Sequence, residues 1–231
     1  MALIDEPLER ALGYPYAIPE RSFALKDGRI LAPGAVEVDL SARVAVLAYG
    51  SNASPAVLGR KLAGSTDPVP VLRAVLSDLD VVYSAHISPY GAVPATLRRS
   101  PGTEAAAFVA QLTDEQVRLI SETEPNYRLT SLEAASCELE DGSTPALSAY
   151  LSRHGCLLHE STEIAVAGIA ARGRSLPAMS QRQVLELVRS LVCPERSLQS
   201  FVAAAAADPK LAGRWTQTLA KRRRAKRAST P

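Results

Sequence analysis

The chain has no uninterrupted apolar run near the roughly 20 residues that a membrane-spanning helix needs. Its first residues carry Asp5, Glu6, Glu9 and Arg10 where a signal peptide requires an apolar stretch. Cysteine is scarce. Cys137, Cys156 and Cys193 are odd in number and widely spaced, which speaks against a disulfide framework and against a zinc site. Histidine is equally scarce. His154 and His159 stand five apart rather than at the i, i+4 spacing that puts two ligands on one helical face, and His86 stands alone, so all three read as structural or solvent-facing. No glycine-rich phosphate loop and no Ser-His-Asp order is present. The expectation is a soluble, cytoplasmic protein with reduced thiols, no metal, no organic cofactor and no membrane span.

What remains is an ordinary globular composition: 231 residues, 47% hydrophobic and 22% charged. The net charge of +2 conceals an asymmetry. The run from Lys221 to Arg227 holds six of the 26 basic residues, which leaves 20 basic against 24 acidic elsewhere. Such a run offers phosphate contacts to a nucleic acid, but more commonly it is a solvated helix end whose cations suit the C-terminal dipole.

Periodicity divides the chain into four parts. Residues 1–42 are rich in proline and charge and read as an irregular N-terminal arm with room for one short edge strand or helix, and with Asp27-Gly28 as a turn. Residues 43–153 hold a strand at 44–49, a helix over about 55–63, and strand-like runs near 69–75, 78–85, 92–98 and 104–112, with a break at Ser100-Pro101-Gly102. A helix follows with Thr113 and Gln116 as a capping box, ending at Glu124 because Pro125 disfavours helical geometry before it. Further strands at about 129–139 and 144–152 flank an Asp141-Gly142-Ser143 hairpin turn. Residues 154–220 read as a loop and helical extension, opened by a Ser180/Gln183 capping box and closed by a helix that starts at Asp208-Pro209 and contains Trp215. Residues 221–231 form the basic tail.

The most informative stretch is Val44 to Asn52. An uncharged run ends in Tyr49-Gly50-Ser51-Asn52, with Ser54-Pro55 placed to start a helix. Gly50 permits a tight turn, and unpaired backbone N–H groups at a helix start attract an anion. A carboxylate or a phosphate suits such a cradle. A second candidate comes from helical geometry. At about 100° per residue, Glu124 lies ~20° from Val117 and within ~40° of Ile120, whereas Glu122 lies ~140° from Val117. Glu124 thus faces the apolar side, where desolvation and the helix C-terminus raise a carboxylate's pKa toward that of a general acid or base. The competing expectations are that the last turn frays and Glu124 swings into water, or that it pairs with a core arginine such as Arg128.

These features together resemble the gamma-glutamylcyclotransferase-like group, which includes the AIG2-like proteins. The resemblance rests on the apolar strand ending in Tyr49-Gly50-Ser51-Asn52, on Gly91-Ala92-Val93-Pro94-Ala95-Thr96-Leu97, on the Ser100-Pro101-Gly102 turn, on the helix-end Glu124, and on Tyr127 and Tyr150-Leu151. It spans about Val44 to Leu151. Ile120-Ser121 and Pro125 depart from the usual Leu-Asp and Gly around the glutamate. The resemblance implies an α+β fold: a small mixed β-barrel of six or seven strands with flanking helices, here with a helical C-terminal extension. It also implies that Tyr49, Gly50, Ser51 and Asn52 grip the α-carboxylate and amine end of a gamma-glutamyl group, that Glu124 is the catalytic acid/base, and that Tyr127 and Tyr150 line the pocket. The implied reaction converts a gamma-glutamyl amide or peptide to 5-oxoproline and a free amine or amino acid, without metal or cofactor. The alternative is a non-catalytic member that binds a carboxylate ligand, or a partner such as nucleic acid through residues 221–227.

Overall fold

A computed structural model describes residues 6–132 and 136–228. The arm is more regular than its composition predicts. Helix α1 (Pro7–Leu12) is followed by a hairpin of β1 (Phe23–Lys26) and β2 (Arg29–Leu31). Asp27 and Gly28 close the hairpin with φ of 48° and 71°, the left-handed pair that a type I′ turn demands.

β3 (Val44–Ala48) is apolar because both of its faces are covered. Leu47 and the following Tyr49 belong to one hydrophobic core, Val46 and Ala48 to a second. A 3-10 turn at Ser51–Ala53 then leads into α2 (Pro55–Lys61). β4 (Val69–Tyr83) and β5 (Ala95–Leu112) form one long antiparallel hairpin. The sequence predicts four separate strands here, with a break at Ser100-Pro101-Gly102. Instead the register shifts between Ser77 and Leu79, Asp78 adopts a φ of 60° and Gly102 one of 78°, and the Gly102 N–H donates to Asp78 Oδ1 at 2.7 Å. A bulge of this kind absorbs Pro101, which has no N–H to give, without ending the strand.

α3 (Asp114–Glu122) carries the predicted capping box, with Thr113 Oγ1 accepting from the Gln116 N–H and Gln116 Oε1 accepting from the Thr113 N–H. β6 (Tyr127–Leu132), β7 (Ser136–Leu139) and β8 (Leu147–Ser152) follow. The predicted hairpin around Asp141-Gly142-Ser143 is divided between partners. β8 pairs with β6, whereas β7 pairs with β4.

Eleven strands form the main sheet. Its principal path runs from edge segments at 178–179 and 165–166 through β4, β5, β3 and β8 to β6, with β3 and β8 parallel. Among the described residues no closed barrel is found; the strands form one large mixed sheet in which β4 pairs with β1, β7, β5 and residue 165 along its course.

Three helices complete the chain: α4 (Gln181–Val192), α5 (Leu198–Ala207) and α6 (Pro209–Ala228). Ser180 and Gln183 form the predicted capping box of α4. The basic run at 221–227 continues α6, and residues 229–231 lie outside the described residues. The extension shares a core with the sheet: Val184, Leu185, Phe201 and Trp215 join Tyr14, Leu47 and Tyr83 in one buried cluster. No helix among the described residues is long and apolar enough to cross a membrane.

Candidate functional site

β3 brings the chain between the two cores as far as Tyr49, and the 3-10 turn then sets Ser51 and Asn52 on the wall of a cavity of about 130 Å³. Tyr49, Gly50, Ser51, Asn52, Glu124, Tyr127 and Tyr150 all line this cavity. The structure therefore brings together every site residue predicted from the sequence.

Gly50 serves a different purpose from the one its turn suggests. Its φ of −136° is not the left-handed conformation that calls for glycine, but a Cβ on it would lie 2.6 Å from the Tyr14 hydroxyl. Glycine lets that hydroxyl close over the backbone. Tyr14 in turn accepts a hydrogen bond from the Ala95 N–H at 2.8 Å, and Tyr127 donates to the Ala95 carbonyl at 2.8 Å. Two tyrosines thus clamp both backbone groups of one residue in the cavity wall.

α3 ends at Glu122, with Thr123 as C-cap, two residues before the predicted stop. The predicted azimuth holds beyond the last turn. The Glu122 side chain is 60% exposed and pairs with Arg118, whereas that of Glu124 is 14% exposed. Glu124 is half of an ion pair, with a lysine as its partner. Lys61 Nζ lies 2.5 Å from Glu124 Oε1 and donates to Asn52 Oδ1 at 2.8 Å, while Asn52 Nδ2 donates to the same Glu124 oxygen at 3.2 Å. Arg128, the partner weighed from the sequence, is exposed. Both bonds to Glu124 fall on Oε1. No partner for Oε2 is found among the described residues, and no buried side-chain polar atom there lacks one, so Oε2 opens onto accessible space.

The hydroxyls of the three predicted tyrosines are already engaged. Tyr49 donates to the Tyr150 carbonyl, Tyr127 to that of Ala95, and Tyr150 bonds Ser121 Oγ at 2.7 Å. Burial raises the pKa of all three, with the Glu124 charge adding to the rise. They act as walls and orienting dipoles rather than as proton carriers.

Several lining residues escape the sequence reading. Tyr14 and Tyr16 come from the arm, and His86, Ser88 and Tyr90 from the loop between β4 and β5. That loop is braced from behind: Thr216 on α6 accepts from the Ile87 N–H at 3.1 Å, and the Gln181 amide, oriented to match its neighbours, pairs with both backbone groups of Val93. A Cβ on Gly91 would meet Val202 of α5 at 2.8 Å. His86 is not alone. Its ring centroid lies 4.9 Å from that of His154, and its Nδ1 lies 2.7 Å from Ser84 Oγ. Burial, and behind it His154, push the His86 pKa down to about 3, so the ring is neutral near pH 7. For Lys61 a signal was present in the sequence: it follows Val57 by four residues and so shares a helical face with it.

Among the described residues no group of three or more His, Cys, Asp or Glu gathers as a metal centre would. No family model matches the sequence, and no curated protein matches it. Among solved structures, an uncharacterized human protein is 18% identical over 49% of this chain and 69% of its own, with a TM-score of 0.42. A gamma-glutamyl cyclotransferase is 17% identical over 49% and 68%, with a TM-score of 0.41, and a protein from Arabidopsis thaliana is 19% identical over 48% and 70%, with a TM-score of 0.38. The likeness is to part of the fold, and the chemistry has to be read from the cavity itself.

Proposed function

We propose that this cavity cyclises a gamma-glutamyl amide or peptide, releasing 5-oxoproline and a free amine or amino acid. The observation that carries the proposal is the placement of opposite charges, Glu124 and Lys61, beside Asn52 and the Gly50-Ser51 backbone in one partly buried cavity. A gamma-glutamyl group ends in a zwitterion. Its ammonium suits the unpaired oxygen of Glu124, and its α-carboxylate suits the first N–H groups of the 3-10 turn, which have no partner within the turn itself. A phosphate in the same place would face the Glu124 charge, so the anion cradle favours a carboxylate attached to an ammonium.

In the reaction the substrate supplies its own nucleophile. The attacking nitrogen sheds two protons in becoming the lactam N–H: Glu124 removes the first from the α-ammonium, the freed amine attacks the γ-carbonyl carbon, and the second is lost as the carbon–nitrogen bond closes the five-membered ring. The original amide bond breaks as the leaving nitrogen takes up both protons and departs as an ammonium, so protons balance and no water enters. The protein's task is to fold the glutamyl chain back on itself and to carry protons between the two nitrogens, and both tasks call for a positioned carboxylate in a shaped cavity. The proposed setting is cytoplasmic. Incubation with gamma-glutamyl amines, dipeptides and glutathione, with 5-oxoproline measured directly, tests the proposal. Release from at least one class supports it, and hydrolysis to free glutamate in place of cyclisation contradicts it.

The Lys61 bond to Glu124 favours one other reading, a module that binds a gamma-glutamyl or amino-acid zwitterion without turnover. Saturable binding of these compounds with no 5-oxoproline released would select it.

A further inference from the structure

A carboxylate that takes a proton from the nucleophile must also see one delivered to the leaving nitrogen. Glu124 lines the cavity, holds Oε1 against the Lys61 ammonium at 2.5 Å, and leaves Oε2 accessible and without a partner among the described residues. Lys61 itself lines the cavity and has a side chain 13% exposed, so its ammonium is both held and reachable. Asn52 bonds each member of the pair and fixes their separation. An acceptor, a donor and a direct contact between them stand side by side.

We propose that Lys61 is the proton donor to the leaving nitrogen, and that Glu124 and Lys61 work as a two-residue shuttle. This rests on the cyclisation reading above. Glu124 Oε2 accepts the proton from the substrate ammonium. As the ring closes and the amide carbon–nitrogen bond breaks, Lys61 Nζ gives a proton to the departing nitrogen. Lys61 is then neutral and Glu124 protonated, and transfer of one proton across their contact restores the starting charges. The second proton that the attacking nitrogen sheds in becoming the lactam N–H passes by the same route to the departing amine, which leaves as an ammonium. Nothing is oxidised or reduced. Exchange between an alkylammonium and an alkylamine is nearly balanced in energy, which suits a lysine to this step, and the division spares Glu124 from rotating between two nitrogens within one turnover.

The test uses leaving groups of different basicity. A gamma-glutamyl alkylamide needs its nitrogen protonated before it departs, whereas a gamma-glutamyl para-nitroanilide leaves far more readily without that help. Lys61→Arg keeps the cation beside Glu124 but is a very poor acid. The expected result is that Lys61→Arg slows the alkylamide by about a further 100-fold relative to the anilide, while Glu124→Gln slows both alike. Lys61→Met should show the same selective loss, and unfolding curves of each variant exclude misfolding as its source. Equal slowing of both substrates by Lys61→Arg overturns the donor role and leaves cyclisation standing. Failure of the wild-type protein to release 5-oxoproline from any gamma-glutamyl compound overturns both.

Discussion

Asp80 and Arg174 form an ion pair more deeply buried than that of Lys61 and Glu124, and the two are completed in different ways. Asp80 is fully buried and receives the Arg174 guanidinium on both oxygens, with a further bond from the Val81 N–H; Arg174 also donates to the Ile169 carbonyl. Every oxygen is used, and the pair ties the segment after Ile169 to β4. Glu124, which lines a cavity, receives two donors on one oxygen and leaves the other without a partner among the described residues. A saturated pair holds structure together. A pair with an open valence, in a cavity that also gathers tyrosines and backbone amides, is arranged for a ligand.

Breaking the saturated pair should have the largest effect on stability. Arg174→Met leaves a buried carboxylate without its partner and should cost about 3–5 kcal/mol in urea unfolding, with any loss of turnover following the loss of folded protein. The acid limb of the stability curve comes next. His86 titrates near 3 in the folded protein against a usual value of 6.5, so below pH 6.5 the unfolded chain binds a proton that the folded one refuses. Stability is therefore full above that value and falls by up to ~1.4 kcal/mol per pH unit on going down toward pH 3. His86→Gln should flatten that part of the slope, and an unchanged slope would assign it to other groups.

Gly50→Ala disturbs the cavity while leaving both ion pairs intact. The new methyl group must displace the Tyr14 hydroxyl, for a cost of about 1–3 kcal/mol in thermal or urea unfolding and a raised KM for the gamma-glutamyl substrate. The smallest stability effect belongs to the open pair. Lys61→Met should change the unfolding free energy by about 1 kcal/mol or less, because the contact faces a cavity and is far from saturated. A loss as large as that of Arg174→Met would place the two pairs in one class and remove the contrast.

Local signals in the sequence were legible. The uncharged run at 44–48 reads as a strand covered on both faces, the Thr113/Gln116 and Ser180/Gln183 boxes mark two helix starts, and the azimuth of Glu124 survives although the helix ends two residues early. The long-range features were not. Ser100-Pro101-Gly102 reads as a strand break because its local chemistry is that of a turn, yet Asp78 on the facing strand turns it into a bulge. Tyr14, 81 residues from the Ala95 amide it meets, gives no periodic sign of entering the cavity from an arm rich in proline. Lys61 shares a helical face with Val57, which hints that it turns inward, but only folding brings it across 63 residues to Glu124.

The central claim is that Glu124 moves the proton that closes the ring. Single-turnover release of 5-oxoproline by the wild-type protein and by Glu124→Gln, compared at equal folded fraction, tests it most directly. The account predicts a rate lower by roughly 100- to 10,000-fold in the variant with little change in stability. Undiminished release from a stably folded Glu124→Gln protein would contradict it.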